Sequence, residues 1–253
     1  MTRFVHRLTL TFYVIIIIFA FVALTYIGYS YYRLPIEERF FNPNYEQLKP
    51  SGFFGHGLGV VGSFIMLFGL FSYMARKRIK IFSRIGVLKY WLEFHIFTCT
   101  LGPVLILFHT SFKFGGIISV GFWSMAIVWT SGFIGRFIYL QIPRTIEGRE
   151  LSLREVQELK ENIDSELLNK YKINISDFDS NELSRKISRK EYKIIKGLLS
   201  TEKRISKRIG QLDRMKRLFN YWHFAHLPFA LIMLIILAIH VGVAFAFGYK
   251  WIF

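Results

Sequence analysis

Five stretches of the sequence, at 8–30, 52–74, 90–111, 117–140 and 221–247, are apolar over about 20 residues or more, the length that crosses the hydrocarbon of a bilayer. Backbone polar groups in lipid must be bonded within their own segment, which leaves such a chain few choices besides a bundle of helices. The expected fold is an all-α integral membrane protein, a five-span helix bundle. Composition agrees. The 253 residues are 53% hydrophobic and 18% aromatic, values a water-soluble domain seldom combines with long uncharged runs. Arg3 and Arg7 give the first span the look of a signal peptide. Its apolar core is too long for one, and aromatic residues from Tyr26 to Tyr32 stand where a small-residue cleavage site would be, so it reads as a retained anchor.

The net charge of +16 is first a topology signal and does not point to nucleic acid. Between spans two and three lie Arg76, Lys77, Arg78, Lys80, Arg84 and Lys89, with no acid. The segment 141–219 carries 19 Lys and Arg against 13 Asp and Glu, whereas the link between spans one and two is near neutral. The positive-inside bias places the chain in the inner (cytoplasmic) membrane, with its N-terminus in the cytoplasm and its C-terminus outside. Three regions follow: spans one to four at 1–140, a cytoplasmic segment at 141–219, and the fifth span with the outer C-terminus at 220–253. In the middle region Ser152-Leu-Arg-Glu155 is a capping-box pattern opening a helix. Leu183, Ile187, Ile194, Leu198, Ile205, Ile209 and Leu212 form a helical stripe, and Asn174-Ile-Ser-Asp177 separates the two helices. The expectation is a basic helical hairpin between spans four and five. It either receives anionic lipid or a partner protein, or is simply a solvated linker.

The single cysteine, Cys99, excludes a disulfide and a thiolate metal site, and an iron–sulfur cluster held by this chain alone. Histidine is the informative residue. Span three carries His95 and His109, fourteen apart; span five carries His226 and His240, also fourteen apart. Tyr90-Trp91 precedes His95 at the offset at which Tyr221-Trp222 precedes His226. Fourteen residues turn a helix through about 1400°, some 40° short of four turns, so both rings leave one face about 21 Å apart along the axis. Spans three and five cross in the same direction, which sets His95 level with His226 and His109 level with His240. Two bis-imidazole sites, inner and outer, suit two haem irons with nitrogen axial ligands. Unligated, four imidazoles in hydrocarbon would be costly. A single metal ion cannot bridge ligands about 21 Å apart, and a proton relay gives no reason for equal spacing. His223 is a rival for the inner position, but it leaves a different face from His240.

Other residues take supporting parts. His56, in Gly-His-Gly-Leu-Gly at the outer end of span two, is expected to contact outer-haem propionates or a quinone, or to cap the helix. Arg136, near the inner end of span four, is placed either to neutralise inner-haem propionates or to snorkel to the interface. Glu93 reads as a proton acceptor for quinol, a hydrogen-bond partner of a ligand or a solvated carboxylate. Lys113 serves the outer propionates or marks the interface. Gly102-Pro103 allows close approach of a flat macrocycle or is ordinary punctuation of a span. Gly55, Gly57, Gly59 and Gly62 give span two a small-residue packing face. His6 lies in the N-terminal tail without an assigned role.

Paired histidines fourteen apart on the third and fifth spans resemble the transmembrane domain of ferric reductases and NADPH oxidases and, more loosely, quinone-linked di-haem cytochromes b. The resemblance rests on His95, His109, His226 and His240 and covers spans two to five. It implies that each haem is held by one histidine from each helix, His95 with His226 and His109 with His240. In that family electrons enter from a flavin and nicotinamide domain after a sixth span. This sequence shows neither, and its soluble segment carries no GxGxxG fingerprint. The expectation is therefore a di-haem b-type cytochrome subunit. It would carry electrons between a quinone or external redox protein and a cytoplasmic redox partner. Two other readings stand beside it: a haem-free membrane scaffold with a basic hairpin for lipid or a partner, and a self-contained reductase of iron or oxygen.

Overall fold

The computed structural model describes residues 2–141, 153–171 and 188–246. Among them there is no strand. The helices are α1 (Arg3–Tyr32), α2 (Tyr45–Leu48), α3 (Phe53–Arg78), α4 (Leu88–His109), α5 (Gly116–Gln141), α6 (Leu153–Tyr171) and α7 (Arg189–Ala246), with short 3-10 turns at Arg39–Phe41 and Phe82–Arg84. Five of these helical stretches, in α1, α3, α4, α5 and α7, are long and apolar enough to cross a membrane. Their apolar side chains are widely exposed, Phe19 by 71% and Ile117 by 80%.

The described residues of Met1–Gly132 and His226–Phe253 form one compact unit, and those of Phe133–Ala225 a second. In the first unit α4 is the central helix. On one side Tyr13 of α1 stacks on Phe97 at 4.3 Å between ring centres. On another, α3 runs antiparallel to α4 at glycine-to-glycine distance: a Cβ placed on Gly62 would lie 2.9 Å from the Gly102 carbonyl oxygen, and one on Gly102 2.8 Å from that of Gly62. The small-residue face read from the sequence is thus a helix-packing face, and Gly69 extends it. On α5, Trp129 Nε1 donates to Thr100 Oγ1 at 3.3 Å. Met66, Met125 and Met233 are buried, with Cys99, Ile106, Phe122 and Leu237 packed on them.

The segment joining α1 to α3 is fastened by a buried cation. Arg39, 5% exposed, donates from Nε to the Leu34 carbonyl (2.9 Å), from Nη1 to Ser111 (2.5 Å) and from Nη2 to Tyr32 (3.1 Å). Its guanidinium also lies over the Tyr31 ring, 5.3 Å from the centroid. These carbonyls belong to the ends of α1 and α4, where helices leave acceptors unbonded and favour positive charge. Ser111 and Phe112 take φ of 49° and 59°, a left-handed conformation uncommon outside glycine. Ser111 is fully buried there and donates from Oγ to the Leu48 carbonyl at 3.0 Å.

In the second unit, α6 packs on the first half of α7 in opposite directions: Val156 meets Leu212, and Leu167 meets Ile195. The stripe expected from sequence needs one correction. Ile194 is 51% exposed, while Ile195 is fully buried and Glu202 is 9% exposed. The inward positions run 195, 198, 202, 205, 209 and 212, alternating steps of three and four with a carboxylate among them. Leu183, Ile187, Asn174, Asp177 and Ser152 lie outside the described residues. The helix that carries the apolar run at 221–247 begins well before it, α7 being unbroken from Arg189 to Ala246. No helix breaker stands between the two patterns, and Pro228 is accommodated within the helix.

Glu202 lies 3.5 Å from Lys160, which also bonds Asp164 at 2.8 Å. The hydrogen bond to Asp164 raises the Lys160 ammonium above its ordinary value, aided by the Glu202 charge. A raised value keeps this contribution in place at neutral pH and loses it only as pH climbs through the raised value. Lys160→Met strips Glu202 of its ammonium and is expected to cost about 1 kcal/mol, since the lysine is partly exposed. The double variant Lys160→Met/Glu202→Leu is expected to recover that loss in thermal unfolding. A double variant no more stable than the single one would show that the ion pair does not sit in the packing seam.

Candidate functional site

The four paired histidines all belong to the first unit, two on α4 and two on α7. The ring centres of His109 and His240 are 6.4 Å apart, with planes at 55°. His56 of α3 joins them, its ring 6.3 Å from that of His109. Fourteen residues before His109 and His240 stand His95 on α4 and His226 on α7. His95 stacks on Tyr73 of α3 at 5.3 Å and has Cys99 Sγ 3.5 Å from its Nδ1. Helix rise puts about 21 Å between the two levels along α4. Midway on each helix stand Gly102 and Met233, and the methionine cluster fills this layer.

The hydrogen bonds fix the tautomers. His109 Nδ1 is 2.8 Å from the Gly55 carbonyl oxygen, and His95 Nδ1 is 3.3 Å from that of Gly69. A carbonyl only accepts, so each Nδ1 carries the proton and Nε2 keeps a free lone pair. His226 Nδ1 lies 2.6 Å from Ser131 Oγ, which is itself 2.9 Å from the Val128 carbonyl oxygen. His95 and His109 therefore offer Nε2 as a metal-ligating atom, each with Nδ1–H anchored to a backbone oxygen. Beside His109 the chain is bare: a Cβ on Gly59 would lie 2.8 Å from the ring.

Among the described residues no three His, Cys, Asp or Glu side chains converge as an all-protein metal site requires. Arg136 is half-buried on the part of α5 that belongs to the second unit. His223 is exposed, also in the second unit, with its ring 6.1 Å from Trp222. Lys113 is exposed beyond the end of α4. Glu93 is no solvated carboxylate: it is 6% exposed, 3.4 Å from His6 Nδ1 and 3.9 Å from Lys89 Nζ. Lys89 in turn donates to His6 Nε2 at 3.2 Å. His6 therefore belongs to a polar cluster joining α1 to α4.

Ser131 was invisible to spacing arguments because it lies on a different helix from its histidine. Gly69 did leave a signal. It stands fourteen residues from Gly55, the interval of the histidine pairs, but the register that gives this meaning is set by tertiary packing.

No protein-family model, curated protein or solved structure matches this chain.

Proposed function

We propose that the chain is a di-haem b-type cytochrome subunit of the cytoplasmic membrane. Its five apolar helices cross the bilayer with the N-terminus in the cytoplasm, and each histidine level holds one haem. Electrons pass between a quinone or external redox protein on the outer side and a cytoplasmic redox partner. The observation carrying this reading is the 6.4 Å between the rings of His109 and His240. Two imidazoles hydrogen-bonded directly would bring ring centres to about 5 Å. Two imidazoles sharing one metal ion would need about 2 Å for each bond and about 1.1 Å from each nitrogen to its ring centre, room that His109 and His240 would supply.

The donor set fits the group. His109 and His95 carry Nδ1–H on a backbone oxygen and leave Nε2 to ligate, and His226 Nδ1 is bonded to Ser131 Oγ. The rings of His240 and His109 lie 6.4 Å apart, and the bare backbone at Gly59 makes room for the His109 ring itself. Haem, when bound, supplies one-electron transfer. The chain's residues orient the ligands and separate the two levels by a dry layer. His56 is assigned to the outer edge, toward propionates or quinone.

The second unit supports a cytoplasmic docking role. Lys193, Lys196, Lys203, Lys207 and Arg214 are all exposed and follow one another at steps of 3, 7, 4 and 7 on the face of α7 opposite Ile195 and Leu212. Such a stripe suits an acidic partner surface and speeds its encounter at low salt. The test is purified full-length protein. A reduced-minus-oxidised b-type spectrum with about two haems per chain is expected. Colourless, folded protein would instead favour a membrane scaffold that uses its basic face for lipid or a partner.

A further inference from the structure

The two α4 histidines share a feature beyond their spacing. Gly55 and Gly69 are fourteen residues apart on α3, as His95 and His109 are on α4. The helices run antiparallel, so Gly55 faces His109 and Gly69 faces His95, with Gly62 against Gly102 halfway between. One register therefore places a backbone oxygen at both rings.

We propose that the backbone of α3 is the positioning element of both sites: the carbonyls of Gly55 and Gly69 take the Nδ1–H of His109 and His95 and turn Nε2 of each ring toward its ligand. This rests on the haem reading of the four histidines. A helical carbonyl already accepts from the amide four residues on, and its second lone pair is free for an outside donor only where neighbouring side chains leave access. Glycine supplies that access. A Cβ on Gly55 would overlap the Lys49 carbonyl, and one on Gly69 would overlap Thr98 Oγ1. A side chain at Gly69 would push α3 away from α4 and lengthen the His95 contact, whereas one at Gly55 would displace the Lys49 link that leads into α3. The arrangement also explains why α3 carries no histidine of the paired set, yet packs so closely on the helix that carries two.

Two substitutions separate the levels. Gly69→Ala drives a methyl into Thr98 and moves the Gly69 carbonyl off His95. Gly59→Ala drives a methyl into the His109 ring. Each is expected to lower the affinity of one haem about tenfold, the lower end of what loss of a partner hydrogen-bonded to a ligand costs. Each should also raise the potential of that haem, because a ligand that no longer donates Nδ1–H is a weaker electron donor to the oxidised metal. Gly69→Ala/Thr98→Gly is expected to restore the wild-type potential. Equal shifts of both haems in either single variant, or no rescue by Thr98→Gly, would overturn the proposal. Nitrogen NMR of the histidine rings in the wild-type chain guards against misfolded variants: Nδ1–H tautomers at His95 and His109 are expected, and Nε2–H at either overturns the assignment. Colourless protein whose two rings still carry Nδ1–H would defeat the haem reading while leaving the α3 hydrogen bonds in place.

Discussion

His109→Ala is expected to yield protein that binds one haem where the wild type binds two, with about half the b-type absorbance retained. The retained haem is the one assigned to His95 and His226, whose contacts run through Gly69 and Ser131 and do not involve residue 109. The lost haem has no substitute ligand on α4. His56 lies beside the vacated position, its ring 6.3 Å from that of His109, but it is assigned to the haem edge and not to the iron. His56→Ala should accordingly retain both haems. Haem extraction and redox titration of the two variants beside wild type check this. Equal loss of both haems from folded His109→Ala protein would contradict the division into two levels.

Arg39→Leu is expected to destabilise the chain by about 3 kcal/mol or more, because three carbonyls lose their donor together, each worth about 1 kcal/mol or more when left unbonded in a buried place. The comparison variant is Lys49→Leu. Lys49 pairs with Glu46 at 2.6 Å, but Glu46 is 74% exposed, and an exposed pair contributes little. Unfolding in detergent, followed by helix signal, measures both. A loss below 1 kcal/mol for Arg39→Leu would mean that water replaces the guanidinium at the ends of α1 and α4.

How much of this was legible in the sequence depended on whether a feature was local. The apolar runs and the fourteen-residue intervals lie within single helices, and the helices formed where hydropathy placed them. The His109–His240 approach followed from applying helix geometry twice and aligning the results. Contacts between distant segments that no repeated spacing marks were out of reach. His6 and Glu93 are 87 residues apart and meet because α1 lies on α4. Arg39 read as one charge among several in a near-neutral loop. On α7 the stripe was counted by residue type, which admitted Ile194 and missed Glu202; polarity misleads wherever a carboxylate finds its partner inside a packed seam.

The methionine layer between the two histidine levels has a consequence for energy conversion. Met66, Met125 and Met233, with the aliphatic and aromatic side chains packed on them, offer no carboxylate or imidazole to relay a proton. In the proposed reading an electron can cross this layer by tunnelling while a proton is held back. Each transfer would then separate charge across the membrane dielectric, working with or against a field worth about 2.3 kcal/mol per charge for every 100 mV over the full thickness. The subunit would behave as one plate-to-plate conductor of a capacitor, its flux set by membrane voltage as well as by the potentials of its partners.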